Sequence, residues 1–124
     1  MNYRRESKAA GHNVLFLFVN FALDCERREL RAHGAIVPVE PQVFDLLVYL
    51  IENRDRVVSK DDLIASVWSG RIVSDSTLDS RINSVRKALG DSGGRQQFVR
   101  TIARKGFRFV GEVNTTPKPA GTGA

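Results

Sequence analysis

An α+β domain is predicted, with a short-stranded antiparallel sheet first, three helices next and a β-hairpin last. Three features carry this prediction. Short apolar runs broken by turn residues occupy positions 15–39, the spacing becomes helical after Glu40, and alternation returns over residues 98–110. With 124 residues, 42% of them apolar, the chain closes one core with little left for a second, which excludes a multidomain enzyme.

In the first stretch, Asp24-Cys25-Glu26 follows one run, and His33-Gly34 lies between Leu30-Arg31 and Ile36-Val37. A residue that tolerates a positive φ beside Gly is a hairpin signal, so three or four short antiparallel strands are expected. Arg4, Arg5 and Lys8 ahead of the apolar run through Leu23 superficially resemble a secretion signal. Asn20 interrupts that run, no small-x-small cleavage pattern follows, and the stretch is shorter than the roughly 20 apolar residues of a membrane span. It is therefore assigned to the sheet.

Pro41 suits the first turn of a helix, and Val43, Phe44, Leu46, Leu47, Val48, Leu50 and Ile51 then cover an arc wide enough to pack on more than one side. Val57-Val58 reads as a brief extended piece. Ser59 with Asp62 makes a capping-box variant that opens a second helix facing Leu63, Ile64, Val67 and Trp68 inward. After Gly70, either Ser74 or Asp75 can cap a third helix, about 75–89, that Gly90 ends. Leu78, Ile82, Val85 and Leu89 fall in one sector of it. Around Ala103-Arg104-Lys105-Gly106, two alternating runs read as a hairpin. Residues 1–13 are polar and small and are expected to form a flexible arm. The domain is expected over 14–113, and 114–124, with two of the four prolines, has the composition of a flexible tail or linker.

Nineteen Lys and Arg against fourteen Asp and Glu give a net charge of +5, which suits a polyanionic partner. The positive charge is concentrated. From Arg81 to Arg108 there are eight basic residues and one acid, Asp91, whereas residues 40–62 hold six acids and three bases. Two helices followed by a basic hairpin are the outline of a winged helix-turn-helix, whose third helix enters the major groove of double-stranded DNA while the hairpin, the wing, touches the backbone or minor groove beside it. Opposite the apolar sector of that helix stand Ser76, Ser80, Asn83, Ser84 and Lys87, flanked by Thr77, Arg81 and Arg86. Small serines allow close approach, Asn can pair with adenine, and Arg with guanine. The bland alternative is an ordinary solvated helix face. On the hairpin, Arg100, Arg104, Lys105 and Arg108 concentrate charge while Ile102, Phe107 and Phe109 anchor it.

Catalysis finds no support. Asp75, Asp79 and Asp61-Asp62 are acids at helix starts, explained by the dipole, and no phosphate loop is present. One cysteine, Cys25, and two distant histidines make neither an internal disulfide nor a zinc site, so no cofactor or metal is expected and the setting is a reducing cytoplasm. The rival reading is a winged helix whose basic face meets an acidic protein. A single-stranded RNA binder is disfavoured because Phe107 and Phe109 read as core rather than as a stacking platform.

The motifs RRELRAHG, VPVEPQVFDLLVYLIENRDRVVSKDDLIASVW, STLDSRINSVRKALGD and FVRTIARKGFRFVGEV, spanning residues 18–113, together resemble the OmpR/PhoB-type winged-helix DNA-binding domain of bacterial transcriptional regulators. The wording is most similar to the branch in which this domain precedes sensory or repeat-containing segments. The resemblance implies a four-stranded N-terminal sheet, three helices and a C-terminal hairpin, binding direct-repeat DNA, often as head-to-tail pairs. It implies that Ser76, Ser80, Arg81, Asn83, Ser84, Arg86 and Lys87 face DNA and that Thr101, Arg104 and Lys105 serve the wing. It also implies that the loop Ser69, Gly70, Arg71, Ile72 and Val73 corresponds to the segment that contacts RNA polymerase in some members. Asn83 and Ser84 depart from the family pattern, which commonly has basic residues there. A receiver domain has no room in 124 residues, so an activating signal is expected by another route.

Overall fold

The computed structural model describes residues 14–117, and the expected arm, 1–13, lies outside them, as do residues 118–124 of the expected tail. The order of elements is β1 (Val14–Phe18), β2 (Phe21–Asp24), β3 (Glu29–Ala32), β4 (Ala35–Val37), α1 (Pro41–Glu52), α2 (Lys60–Val67), α3 (Asp75–Ala88), β5 (Val99–Ile102), β6 (Gly106–Phe109) and β7 (Asn114–Pro117). The described residues divide into two units, one formed by residues 14–38 with 112–117 and the other by residues 39–111.

In the first unit the strands form one antiparallel sheet in the order β4-β3-β2-β1-β7. Two of its hairpins have two-residue loops, Val19-Asn20 and His33-Gly34, and the second is the one the sequence announced. His33 and Gly34 both take positive φ, 53° and 83°, and their loop closes the pair Ala32↔Ala35, as the strand twist requires of a primed turn. Phe16, Phe18, Leu23 and Leu30 are buried, so one face of the pleat is apolar.

The strand count corrects the sequence reading. Residues 114–117 were expected to open a flexible tail, yet they pair with β1 through Leu17↔Asn114, Phe16↔Thr115 and Leu15↔Thr116. The open edge of β1 supplies hydrogen-bonding groups, and two β-branched threonines suit the extended backbone. Pro117 stands where an edge strand tolerates it.

The second unit holds three helices and the hairpin. Helix α1 begins with Pro41 and buries Val43, Phe44, Leu46, Leu47, Leu50 and Ile51, so it is packed on more than one side, against α2, α3 and β6. Each such side chain contributes about 1.5–3 kcal/mol by leaving water. At the start of α2 the full capping box forms: Asp62 N–H donates to Ser59 Oγ at 3.0 Å and Ser59 N–H to Asp62 Oδ2 at 3.2 Å. Ser74, not Asp75, caps α3, accepting from Thr77 N–H at 3.2 Å. Gly90 follows its end with φ 71°. Leu78, Ile82, Val85 and Leu89 are all buried, as their spacing requires.

The hairpin β5–β6 is fastened to the extended piece before α2. Val58 N–H donates to Phe107 O at 2.7 Å and Phe107 N–H to Val58 O at 2.8 Å, which makes Val58 a third strand of one residue. Gly106 permits this approach. Its φ is +143°, and a Cβ there would lie 2.0 Å from Val58 O. At Gly34, by contrast, φ is +83° but nothing lies within 4 Å. Gly106→Ala is therefore expected to cost more than about 2 kcal/mol, strain plus a displaced strand, and Gly34→Ala only about 1 kcal/mol. Urea denaturation of the two variants checks this; equal losses would mean that the wing is not held through residue 106.

Candidate nucleic-acid interface

Helix α3 presents a polar face because its apolar residues are confined to one sector. Ser76, Ser80, Asn83 and Lys87 are exposed on that face and Ser84 is half-buried, its hydroxyl donating to Ser80 O at 3.1 Å. Thr77 is half-buried and occupied in the cap, accepting from Ser74 Oγ at 3.0 Å. The two flanking arginines behave differently from the face. Arg81 is half-buried and donates through Nε to Gln42 Oε1 on α1 at 3.0 Å.

Arg86, expected to face a duplex, is only 5% exposed. Its guanidinium donates three ways: Nε to Val99 O at 3.1 Å, Nη1 to Asn83 Oδ1 at 3.1 Å and Nη2 to Thr101 Oγ1 at 2.9 Å. The side chain thus ties α3 to the first strand of the hairpin. Burial pushes its pKa down, and the carboxylates of Asp91 and Asp79 oppose that shift.

Asp91 completes the tie, and nothing in the sequence singled it out beyond its being the one acid in a basic stretch. It is 8% exposed and accepts four backbone N–H bonds, from Ser92 at 2.8 Å, Gln97 at 2.7 Å, Phe98 at 2.8 Å and Val99 at 3.2 Å. Its own N–H donates to Arg86 O at 2.7 Å. Both backbone polar groups of Val99 are therefore satisfied from this pair, the N–H by Asp91 and the carbonyl by Arg86. Burial alone would push the Asp91 carboxyl up; the N–H donors of Phe98, Gln97, Ser92 and Val99 outweigh it and hold the pKa below the usual carboxylate value.

On the hairpin, Arg100, Thr101, Arg104, Lys105 and Arg108 are exposed, while Phe107 and Phe109 are buried. Two features run against isolated stability. Arg100 and Arg108 are directly opposed across the strands, a like-charge pair. Arg104 adopts φ 66°, a left-handed conformation that costs a side chain about 1–2 kcal/mol and that Gly would take freely. The hairpin tip and α3 line one cleft of about 640 Å³, whose walls include Lys60, Asn83, Arg86, Thr101, Arg104 and Lys105, with Asp61 and Asp79 as its acids. An open cationic cleft beside a polar helix face can seat a phosphodiester backbone while the helix meets base edges.

The family model described as "Transcriptional regulatory protein, C terminal" matches residues 34–109. The chain belongs to this family, the OmpR/PhoB-type DNA-binding domains. It is 32% identical over 107 residues to the phosphate regulon transcriptional regulatory protein PhoB of Escherichia coli K12, covering 86% of this chain and 46% of PhoB. To the transcriptional activator CadC of the same organism it is 28% identical over 83 residues, 66% of this chain and 16% of CadC. The chain spans less than half the length of either relative. Among solved structures, the response regulator DrrB of Thermotoga maritima, an OmpR/PhoB homologue, superposes with a TM-score of 0.74 at 25% identity, over 89% of this chain and 48% of DrrB. The DNA-binding domain of Klebsiella pneumoniae RstA, in complex with its RstA box, shares the fold with a TM-score of 0.70 at 23% identity, over 77% of this chain and 96% of that one.

In this OmpR/PhoB-type domain the α2–α3 loop leaves the helix through Ser69 and Gly70, both at positive φ. Ser69, Gly70 and Arg71 are exposed and Val73 is half-buried, whereas Ile72 is fully exposed, an apolar side chain with no cover among the described residues. The residues that sequence reasoning missed are Asp91 and Gln96, whose Oε1 accepts from Thr101 N–H at 2.9 Å.

The depressed Asp91 pKa makes a signed prediction. The unfolded chain takes up this proton first, so the contribution of Asp91 is complete above the ordinary carboxylate pKa and is lost as pH falls through the lower folded value. Asp91→Asn removes one acceptor and sets an amide against the N–H groups of Phe98 and Val99. It is expected to lose about 1.5–3 kcal/mol at pH 7, with the gap to the wild type closing below about pH 4. Urea titrations at pH 7 and pH 3 measure it; a gap independent of pH would contradict the charged role.

Proposed function

We propose that this chain binds double-stranded DNA in a sequence-specific manner and regulates transcription, with α3 in the major groove and the β5–β6 wing on the adjacent backbone or minor groove. The observation that carries this reading is the cleft shared by Asn83 of α3 and by Arg104 and Lys105 of the wing, with Asn83 also bordering the depression that Ser80, Ser84 and Lys87 line. The opposed arginines and the left-handed Arg104 are costs that a polyanion offsets. Phosphate contacts by Lys87, Arg100, Arg104 and Lys105 supply affinity, and Ser76, Ser80, Asn83 and Ser84 meet base edges. Thr77 and Arg81 support the helix start and its α1 flank. Membership of a family of transcriptional regulators supports the same reading.

Two further contacts belong to the proposal. The loop of residues 69–73 meets RNA polymerase, the exposed Ile72 offering an apolar contact. Tandem copies bind direct repeats head to tail, the outer strands β4 and β7 leaving sheet edges available on each copy. No helix among the described residues is long and apolar enough to cross a membrane, and the proposed setting is the bacterial cytoplasm.

Neutralising about 5–7 phosphates gives log K a slope of about −5 to −6 against log salt concentration. Fluorescence anisotropy over a salt series tests it, and a flat response would defeat the reading. Arg104→Ala and Lys105→Ala are expected to weaken binding to all duplexes alike, each lowering the salt slope by about 1, while Asn83→Ala changes which sequence a random-duplex selection enriches. Selection that enriches no motif would instead favour a protein-interaction module.

A further inference from the structure

We infer that Arg86 is a positioning residue that sets the base preference of Asn83: it holds the Asn83 carboxamide in one orientation, with the NH2 group presented to the duplex as a donor. The inference rests on the reading that α3 enters the major groove.

The guanidinium of Arg86 is fixed before it meets Asn83. Two of its three bonds go to β5, to Val99 O and Thr101 Oγ1, and only 5% of the residue is exposed. The third, from Nη1, ends on the Asn83 side chain at 3.1 Å. A guanidinium has donors only, so the carboxamide atom that faces it must be the oxygen. The nitrogen is then turned away from the tie. Asn83 itself is exposed and stands between two hollows, the wing cleft and a second depression of about 400 Å³ lined also by Ser80, Ser84 and Lys87.

An asparagine free to rotate on a helix reads adenine with both groups, the oxygen accepting from N6 and the nitrogen donating to N7. Here the bond from Arg86 turns the oxygen toward the guanidinium and leaves the nitrogen facing outward. The residue therefore acts as a donor and favours a base that shows acceptors in the major groove. Guanine, with O6 and N7, fits best, and cytosine, which shows only its N4 donor, fits worst. A buried Arg that merely stabilised the fold would leave this ratio untouched.

The test is a duplex selection with the wild-type chain, followed by affinity measurements on four duplexes that differ only at the base pair whose identity responds to Asn83→Ala. Wild type is expected to favour guanine over cytosine there by about five- to tenfold, the worth of a hydrogen bond. Arg86→Met should collapse that ratio towards one, and adding Asn83→Ala should change it no further. A ratio is read because a uniform loss of affinity leaves it unmoved. Should Arg86→Met fail to fold, Asn83→Asp decides: one carboxylate oxygen still meets Arg86, the other replaces the donor by an acceptor, and the preference should move to cytosine. A ratio kept in Arg86→Met, or a preference unmoved in Asn83→Asp, overturns the inference while leaving the proposed function standing. A wild-type chain that enriches no motif brings down both.

Discussion

Val99 is held from both sides by charge. Its N–H goes to the carboxylate of Asp91 and its carbonyl to the guanidinium of Arg86, and these two residues are joined in turn through Asp91 N–H and Arg86 O. One arginine near the end of a helix and one aspartate just beyond it thus fix where the hairpin starts relative to that helix. Charge-assisted bonds are about twice as strong as neutral ones. Breaking either partner leaves the other buried with unpaired polar groups, which is the expensive case. This tie sets the spacing between α3 and the wing on either side of their cleft.

The second fastening is neutral and lies at the far side of the hairpin, where Val58 pairs with Phe107 and Gly106 lets the two backbones meet. Held at both strands, the wing carries its charges at a defined distance from α3. That rigidity makes the local costs informative. Arg100 opposes Arg108, whose Nε donates to Arg54 O at 3.0 Å, and Arg104 lies in the left-handed region, so charge is kept on the wing at a local cost. The same logic separates the arginines of α3, since Arg86 and Arg81 spend their donors within the chain while Lys87 leaves its charge in water.

Much of this was legible in the residue pattern, for reasons that are local. The arc of α1, the Ser59–Asp62 box, the His33-Gly34 turn and the inward sector of α3 each follow from spacing or from φ preference within a few residues. The exposed face of α3 followed too, once the buried sector was drawn. Strand β7 was hidden because its pairing depends on the edge of β1, about a hundred residues earlier, and because composition after Pro117 spoke for a linker; Thr115-Thr116 was the available signal. Arg86 was misjudged by its type. Four residues after Ile82 and three before Leu89, it sits at the margin of the buried sector, where an arginine's long stem reaches inward. Asp91 was beyond reach, because its four donors are assembled only when the turn and β5 come together.

The central claim is that α3 and the wing, locked by Arg86 and Asp91, meet a duplex as one surface. Amide chemical-shift perturbation on titration with a selected duplex tests it most directly. The account predicts that Ser76, Ser80, Asn83 and Lys87 on the helix and Arg104 and Lys105 on the wing shift together along a single isotherm. Shifts confined to the wing, or two groups following different affinities, would contradict it.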